Sequence, residues 1–206
     1  MFAVTGTILS ASAGTGSFMG GTTVFMYFTI QSNIALALIA LIGLILMLTK
    51  TNVPNWWYVI KYIGTVSITL TGGVFAFVLA PTMGPGAWVP MNVFTHVIVP
   101  IASIADFFVV GTESDIKKKQ MFLTTIPPLM YVIYAAIGYV ANWDFMAGAN
   151  YPYFFLNWGS EAGAFGFSSN LPFMGCVWWI LLLLGLILLF SYLYLVILDK
   201  LKKHSK

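Results

Sequence analysis

The sequence predicts an all-α fold, a polytopic transmembrane helix bundle with five full spans and a short N-terminal helix. Of the 206 residues, 60% are hydrophobic and only 7% are charged, and the mean hydropathy is +0.92. Because soluble domains carry about 25% charged residues, this chain is solvated mainly by lipid. Five apolar runs are each long enough to cross a hydrocarbon core of about 30 Å as a helix. We expect one transmembrane domain over residues 1–206.

The predicted spans follow one another along the chain with short connections. They are Phe28–Leu48, Tyr58–Ala80, Met91–Val110, Met121–Ala141 and Pro172–Leu198. The preceding "MFAVTGTILSASA" is too short for a full span. It is either half of a first helix or the apolar region of a signal peptide. Signal peptides normally begin with basic residues, which are missing here, so a shortened first helix is favoured.

Lysine placement predicts which ends of the spans face the cytoplasm. The chain has no arginine, and its lysines fall in three places: Lys50 and Lys61 around the first connection between full spans, Lys117–Lys119, and Lys200, Lys202, Lys203 and Lys206 after the last span. These places lie on one side of an alternating topology. The positive-inside rule assigns that side, with the C-terminus, to the cytoplasm. We therefore expect a multi-pass protein of the cell membrane.

The opposite, outer side receives segments rich in Gly, Pro and aromatic residues. They are "SAGTGSFMGG", "PTMGPGAWVP" and residues 142–171. Proline removes a backbone donor and glycine favours turns, so we expect "PTMGPGAWVP" to end a helix. The third segment is long for a structureless connection, and such segments are usually functional lids or packed caps.

Polar side chains lie at the outer starts of two spans. In "YFTIQSN", Thr29 and Asn33 are four residues apart and share a helix face. In "VPMNVFTHVIVP", Asn92 and His96 have the same spacing. Both spans run inward from the outer side, so the two pairs lie at similar depth. If the faces meet, the four side chains form a polar pocket in the outer leaflet.

Such side chains have a structural interpretation and a functional one. Thr and Asn within spans commonly form hydrogen bonds between helices. His96 favours the functional interpretation, because an ionisable group inside a membrane usually serves a function. A buried histidine without a neighbouring acid is expected to be neutral, the form that a general base needs. Asp106 lies ten residues further on, about 15 Å along the helix, so we expect it to pair with a lysine or cap a helix.

Three weaker features complete the sequence. Thr69 and Thr71 in "TLTGG" are candidates to line the pocket, and Pro127 and Pro128 predict a kink with a cavity beside it. Cys176 is interpreted as a small apolar side chain. The CxxC, HExxH, P-loop and GxSxG motifs are missing from the sequence, so a metal site, a cofactor and a nucleic-acid partner are not expected.

Three stretches resemble the signature stretches of a family of six-helix membrane proteins, the androgen-induced/FAR-type family with its bacterial branch. They are "YFTIQSN", "NVFTHVIVPIASIAD" and "YPYFFLNWG". The resemblance implies a six-helix plan and an intramembrane threonine hydrolase that cleaves fatty acid esters of hydroxy fatty acids. It implies Thr29 as the nucleophile and His96 as its partner. Many relatives carry an acid where this chain has Asn157.

The sequence and the resemblance together predict lipid ester hydrolysis near the outer leaflet. His96 is expected to deprotonate Thr29, and Asn33 or Asn92 is expected to donate to the oxyanion. The other candidates for binding the substrate are Ser32, Tyr151 and Asn157. The alternative is a protein that binds or transports a membrane lipid or a small ligand in the same pocket without breaking a bond.

Overall fold

The computed structural model describes residues 1–13, 21–49 and 52–204, and within them the chain forms helices and no β-strand. The helices are α1 (Phe2–Ser12), α2 (Phe28–Leu48), α3 (Asn55–Trp88), α4 (Pro90–Glu113), α5 (Lys118–Val140) and α6 (Cys176–His204). Helices α2 to α6 are long and apolar enough to span a membrane, and α1 is not. The predicted polytopic bundle is confirmed. Most of "SAGTGSFMGG", together with Lys50 and Lys206, lies outside the described residues.

Helix α3 is the centre of the bundle. It packs against α2, α4 and α6, while α1 lies against α2 and the start of α4. Apolar side chains of α3 are buried along most of its length, as expected for a helix with neighbours on several sides. By contrast, α2 and α6 leave many large apolar side chains exposed, and these side chains face lipid in a membrane.

The predicted end of α3 is wrong, because the helical path continues through "PTMGPGAW" to Trp88. Pro81 lies in the first turn of the short α-helical segment Ala80–Met83, where a missing N–H is tolerated. Gly84 has a φ of 62° and starts a 3₁₀ turn that ends at Trp88. Pro81 therefore does not end the α-helical path, which ends at Gly84, where the backbone leaves the helical region before the 3₁₀ turn.

The last two spans also differ from their predicted bounds. Helix α5 begins as a 3₁₀ helix over Lys118–Thr125 and becomes α-helical at Ile126. Pro127 and Pro128 occupy the first α-helical turn, and the kink at this point stays a prediction. Helix α6 begins at Cys176, beyond Pro172, and continues past Leu198 to His204.

The two ends of the bundle differ in composition. The end that contains residues 142–175 and Trp88–Pro90 is called the pocket end. At this end, the Tyr27 hydroxyl donates a hydrogen bond to the carbonyl of Phe145 at 3.1 Å. At the opposite, lysine end, the Asn55 amide donates to the carbonyl of Asp115 at 3.2 Å, and Lys202 donates to Ser114.

Lys61 was expected beside the first connection between full spans, near the start of its span, and it lies in the second turn of α3. It is buried within α3 and forms an ion pair with Asp106 of α4. The expected lysine partner of Asp106 is thus present. All the other described lysines lie at the lysine end, in the connection before α5, at the start of α5 and in the last turns of α6.

Candidate active site

Thr29 and His96 meet between α2 and α4 near the pocket end. The Thr29 Oγ1 and His96 Nε2 atoms are 3.2 Å apart, and both residues are buried. Thr29 is the second residue of α2, and Tyr27 precedes the helix in an extended conformation. The two polar faces expected from their spacing therefore do meet, and they bring a hydroxyl within hydrogen-bonding distance of an imidazole.

The other ring nitrogen of His96 defines the tautomer. Nδ1 lies 3.1 Å from the carbonyl oxygen of Asn92, which can only accept a hydrogen bond, so Nδ1 carries the proton. The Thr95 hydroxyl lies 3.0 Å from the same nitrogen and donates to the carbonyl of Met91 at 2.9 Å. Nε2 is then the unprotonated nitrogen, and it accepts a hydrogen bond from the Thr29 hydroxyl. This arrangement is the one that a general base requires.

Two π-helical segments build the wall behind the imidazole. His96 lies in the segment Phe94–Ile98 of α4, and Phe75 begins the segment Phe75–Leu79 of α3. The rings of Phe75 and His96 stack with centroids 4.0 Å apart. A β-carbon added at Gly72 would lie 2.8 Å from the carbonyl oxygen of His96, so α3 and α4 approach closely here. Single π-helical turns occur frequently at functional sites.

The two predicted asparagines join the same cluster, but their amides form hydrogen bonds with the backbone. Asn33 donates to the carbonyl of Thr29 at 2.8 Å and to that of Thr95 at 3.2 Å. Asn92 donates to the carbonyl of Ala87 at 2.9 Å. Asn33 therefore uses one N–H donor within α2 and the other to connect α2 to α4. The oxyanion role of either asparagine stays a prediction, and this bonding pattern does not favour it for Asn33.

Ser32 and Thr71 connect α2 to α3 on the other side of Thr29. The Ser32 hydroxyl donates to the carbonyl of Thr29 at 2.9 Å and lies 3.4 Å from the hydroxyl of Thr71. Thr69 points elsewhere, since its hydroxyl lies 2.6 Å from that of Tyr194. Of the two threonines expected to line the pocket, Thr71 does so and Thr69 does not.

Thr29 faces a narrow apolar cavity of about 70 Å³ between α2, α3, α5 and α6. The wall contributed by α5 includes Pro128 and Leu129, and Leu129 is 39% exposed. Among the described residues, the backbone of the α-helical part of α5 makes few close approaches to the backbones of α2 and α6. The cavity is therefore partly open at the side of the bundle beside α5, and we call this its lateral opening. Its polar lining residues are Thr29, Thr71, Tyr131 and Tyr153, and no charged side chain is among the described lining residues.

Residues 142–175 cover the pocket end, and they bring a different tyrosine to the site from the one expected. Tyr153 is buried and lines the cavity with Thr29, whereas Tyr151 is half-buried and does not line it. Asn157 lies in a turn, where its side chain accepts the N–H of Gly159 at 3.1 Å. Tyr153, Phe75 and Thr95 were not predicted. The repeated tyrosine of "YPY" in an aromatic stretch was the available signal for Tyr153.

The described residues contain no group of three or more His, Cys, Asp or Glu side chains close enough to hold a metal ion. Asp106 is ion-paired with Lys61 inside the bundle, ten residues along α4 from His96. The polar chemistry of the site therefore depends on uncharged groups, and a carboxylate does not orient His96. Comparisons with family models, with curated proteins and with solved structures found no match to this chain.

Proposed function

We propose that this protein is an intramembrane hydrolase of lipid esters, with Thr29 as the nucleophile and His96 as the general base. The observation that carries the proposal is the 3.2 Å contact between Thr29 Oγ1 and the unprotonated Nε2 of His96, beside an apolar cavity. A hydroxyl next to a base that is itself oriented by a third group is the signature of nucleophilic catalysis. Here the third group is the carbonyl of Asn92.

The reaction has two steps, the acylation of Thr29 and its deacylation, and His96 takes up and returns a proton in each. Thr29 Oγ1 attacks the ester carbonyl carbon while its proton moves to Nε2 of His96. The tetrahedral intermediate collapses, the bond to the leaving oxygen breaks, and His96 returns the proton to that oxygen, which gives an alcohol and an acyl-threonine. A water molecule then attacks the acyl group with His96 again as the base. Its products are a carboxylic acid and the free Thr29 hydroxyl.

The lining of the cavity favours a substrate with long hydrocarbon chains. Apolar side chains of α3, α5 and α6 surround the space in front of Thr29, and the lateral opening connects this space to the bilayer. A membrane lipid ester reaches such a site without leaving the hydrocarbon phase. The resemblance of "YFTIQSN" and "NVFTHVIVPIASIAD" to the threonine hydrolases supports the same class, the fatty acid esters of hydroxy fatty acids.

The proposal includes an orientation in the cell membrane. The described lysines other than Lys61 lie at the lysine end, together with the C-terminal turn of α6. The positive-inside rule favours the cytoplasm for that end. Thr29 and His96 then lie toward the outer face, beneath the cap formed by residues 142–175.

Ester hydrolysis by purified protein in detergent or nanodiscs tests the proposed reaction. The substrates are 4-nitrophenyl acyl esters and a fatty acid ester of a hydroxy fatty acid. We expect turnover by the wild type and a loss of about 10³-fold in kcat for Thr29→Ala and His96→Ala. Matched controls are Thr112→Ala and His204→Ala, which remove the same side chains at the lysine end and leave turnover unchanged.

Two outcomes contradict the proposal in different ways. Turnover that survives in Thr29→Ala or His96→Ala removes that residue from the mechanism. If the folded wild type has no turnover while a labelled lipid ester is still retained, and Thr29→Ala retains it equally, the protein is a lipid-binding protein. The uncharged cavity lining is compatible with that second function.

A further inference from the structure

Tyr153 is held against the nucleophile by the cap of the pocket end. It is 7% exposed, and its ring stacks on Phe155 with centroids 5.0 Å apart. Tyr27 makes an edge contact with the same ring at 5.7 Å. Tyr153 and Thr29 line the same cavity. A phenol fixed in this way has little rotational freedom left to lose when a substrate binds.

The phenol oxygen of Tyr153 is buried and has hydrogen-bond donors around it. Burial raises the pKa of Tyr153 to about 12, so the phenol carries its proton at neutral pH. The side chains of Thr29 and Tyr131 and the backbones of Thr29 and Phe28 act in the opposite direction and lower this pKa. Because only donors stabilise a phenolate, these backbone groups are N–H groups. The N–H groups of Phe28 and Thr29 are the first amides of α2, and the side chain of the N-cap residue Tyr27 does not accept a hydrogen bond from them.

The remaining side-chain donors near Thr29 are less suited to an oxyanion in the cavity. Asn33 donates to two carbonyls, and neither Asn33 nor Asn92 lines the cavity. Thr71 lines it and donates to the carbonyl of Ser67 at 3.1 Å. The Tyr131 hydroxyl donates to the carbonyl of Met26 at 3.0 Å. Apart from Thr29 itself, Tyr153 is the lining residue with a side-chain donor that shows no hydrogen bond to a backbone carbonyl of the described residues.

We propose that the Tyr153 hydroxyl is a catalytic donor that binds the oxyanion formed when Thr29 attacks an ester, assisted by the first N–H groups of α2. This inference rests on the proposed hydrolase function. As Thr29 Oγ1 bonds to the carbonyl carbon, the carbonyl π electrons move to its oxygen. The phenol donates a hydrogen bond to that oxygen and keeps its own proton. When the leaving oxygen departs, the carbonyl re-forms and the hydrogen bond weakens.

The test is steady-state and burst kinetics of Tyr153→Phe on a 4-nitrophenyl acyl ester. This substitution keeps the ring contacts with Phe155 and Tyr27 and removes one hydroxyl. Loss of one oxyanion donor lowers kcat by about 10²- to 10³-fold, and we expect KM to change by less than about threefold because the donor acts in the transition state. The burst that reports acylation slows by the same factor as kcat. Tyr134→Phe, which removes a phenol outside the cavity lining, is the matched control and keeps wild-type kcat.

The outcomes separate this inference from the proposed function. If the wild type turns over, Thr29→Ala is inactive and Tyr153→Phe keeps wild-type kcat, Tyr153 is not the donor, and the hydrolase proposal stands. If Tyr153→Phe raises KM in proportion to any fall in kcat/KM, the hydroxyl binds the ground state and the inference is overturned. Absence of turnover in the wild type overturns both. Thermal unfolding of each variant excludes loss of folded protein as the cause.

Discussion

At the scale of single residues, the site consists of a hydroxyl and an imidazole, each held in place by the backbone of its own helix. His96 is oriented by the carbonyl of Asn92, four residues earlier on α4. Thr29 is held through its own carbonyl, which accepts hydrogen bonds from Ser32 and Asn33. A hydroxyl and an imidazole are thus held in contact within the bundle without a buried carboxylate beside them, which would cost several kcal/mol.

Two substitutions at Thr29 separate its hydroxyl from its shape. Thr29→Val is nearly isosteric and lacks the hydroxyl, so we expect kcat to fall by about 10³-fold or more with little change in thermal stability. Thr29→Ser keeps the hydroxyl and loses a methyl group, so we expect kcat within about tenfold of the wild type. Activity on the ester substrate and the unfolding midpoint check both. An active Thr29→Val would rule out Thr29 as the nucleophile.

Asn33 is expected to act on stability, because its buried amide donates to the carbonyl of Thr29 within α2 and to that of Thr95 in α4. Hydrogen bonds between helices in membranes contribute about 1 kcal/mol each. Asn33→Ala should therefore lower the free energy of unfolding by about 1–2 kcal/mol, as measured by reversible unfolding in mixed micelles. Gln31→Ala, on the exposed side of the same helix turn, is the control. An unchanged unfolding free energy in Asn33→Ala would mean that these hydrogen bonds contribute nothing to the bundle.

At the scale of elements, the close approach of α3 and α4 determines where His96 lies. Gly72 faces the His96 carbonyl at a distance that leaves no room for a β-carbon, whereas the nearest atom to a β-carbon at Gly73 would be 3.9 Å away. We expect Gly72→Ala to separate the helices and to lower kcat by about tenfold or more, because small displacements of catalytic groups are costly. Gly73→Ala is the matched control and should keep full activity. Equal activity of the two variants would show that this approach is not needed.

The same elements show how far the sequence determines the structure. The five spans were predictable, because a run of about 20 apolar residues has few alternatives in a bilayer. The π-helical segments Phe75–Leu79 and Phe94–Ile98 were not, since they continue the surrounding α-helices without a proline or glycine inside them. The sequence did not predict the continuation of α3 through Pro81, because proline usually interrupts a helix and is tolerated here through its position in the first turn of Ala80–Met83.

The residues of the candidate site also divide into those that the sequence predicts and those that it does not. Thr29 and His96 were predictable because each lies on a helix, where spacing defines a face. Tyr153 lies in a segment without helical or strand periodicity, and no spacing rule connects it to α2. The contact of Asn157 with its own turn could not be predicted either. The loop residues of the site therefore could not be predicted from the sequence.

At the scale of the whole molecule, one ion pair connects the central helix to α4 inside the bundle. The side chain of Lys61 is 6% exposed, and that of its partner Asp106 is 53% exposed. We expect Lys61→Met to lower the free energy of unfolding by about 2 kcal/mol, because it leaves an unpaired carboxylate within the span. The double variant Lys61→Met/Asp106→Leu should recover most of that loss, as measured by the same unfolding assay. A double variant less stable than Lys61→Met would contradict this account.

The orientation of the whole molecule makes a separate prediction. In a Cys176→Ala background, Ser169→Cys at the pocket end should react with a membrane-impermeant maleimide added to intact cells. Lys119→Cys at the lysine end should react only after the cells are opened. Both positions are exposed. The reverse labelling pattern would place Thr29 and His96 toward the cytoplasm.

The most direct test of the central claim is to look for the acyl-threonine itself. Wild-type protein is mixed with a 4-nitrophenyl acyl ester, quenched in acid within the burst phase, digested and analysed by mass spectrometry. The account predicts one added acyl group on the peptide that contains Thr29, and no such adduct in His96→Ala after the same interval. Turnover without an adduct on Thr29, or an adduct on another residue that forms at the rate of the burst, would contradict it.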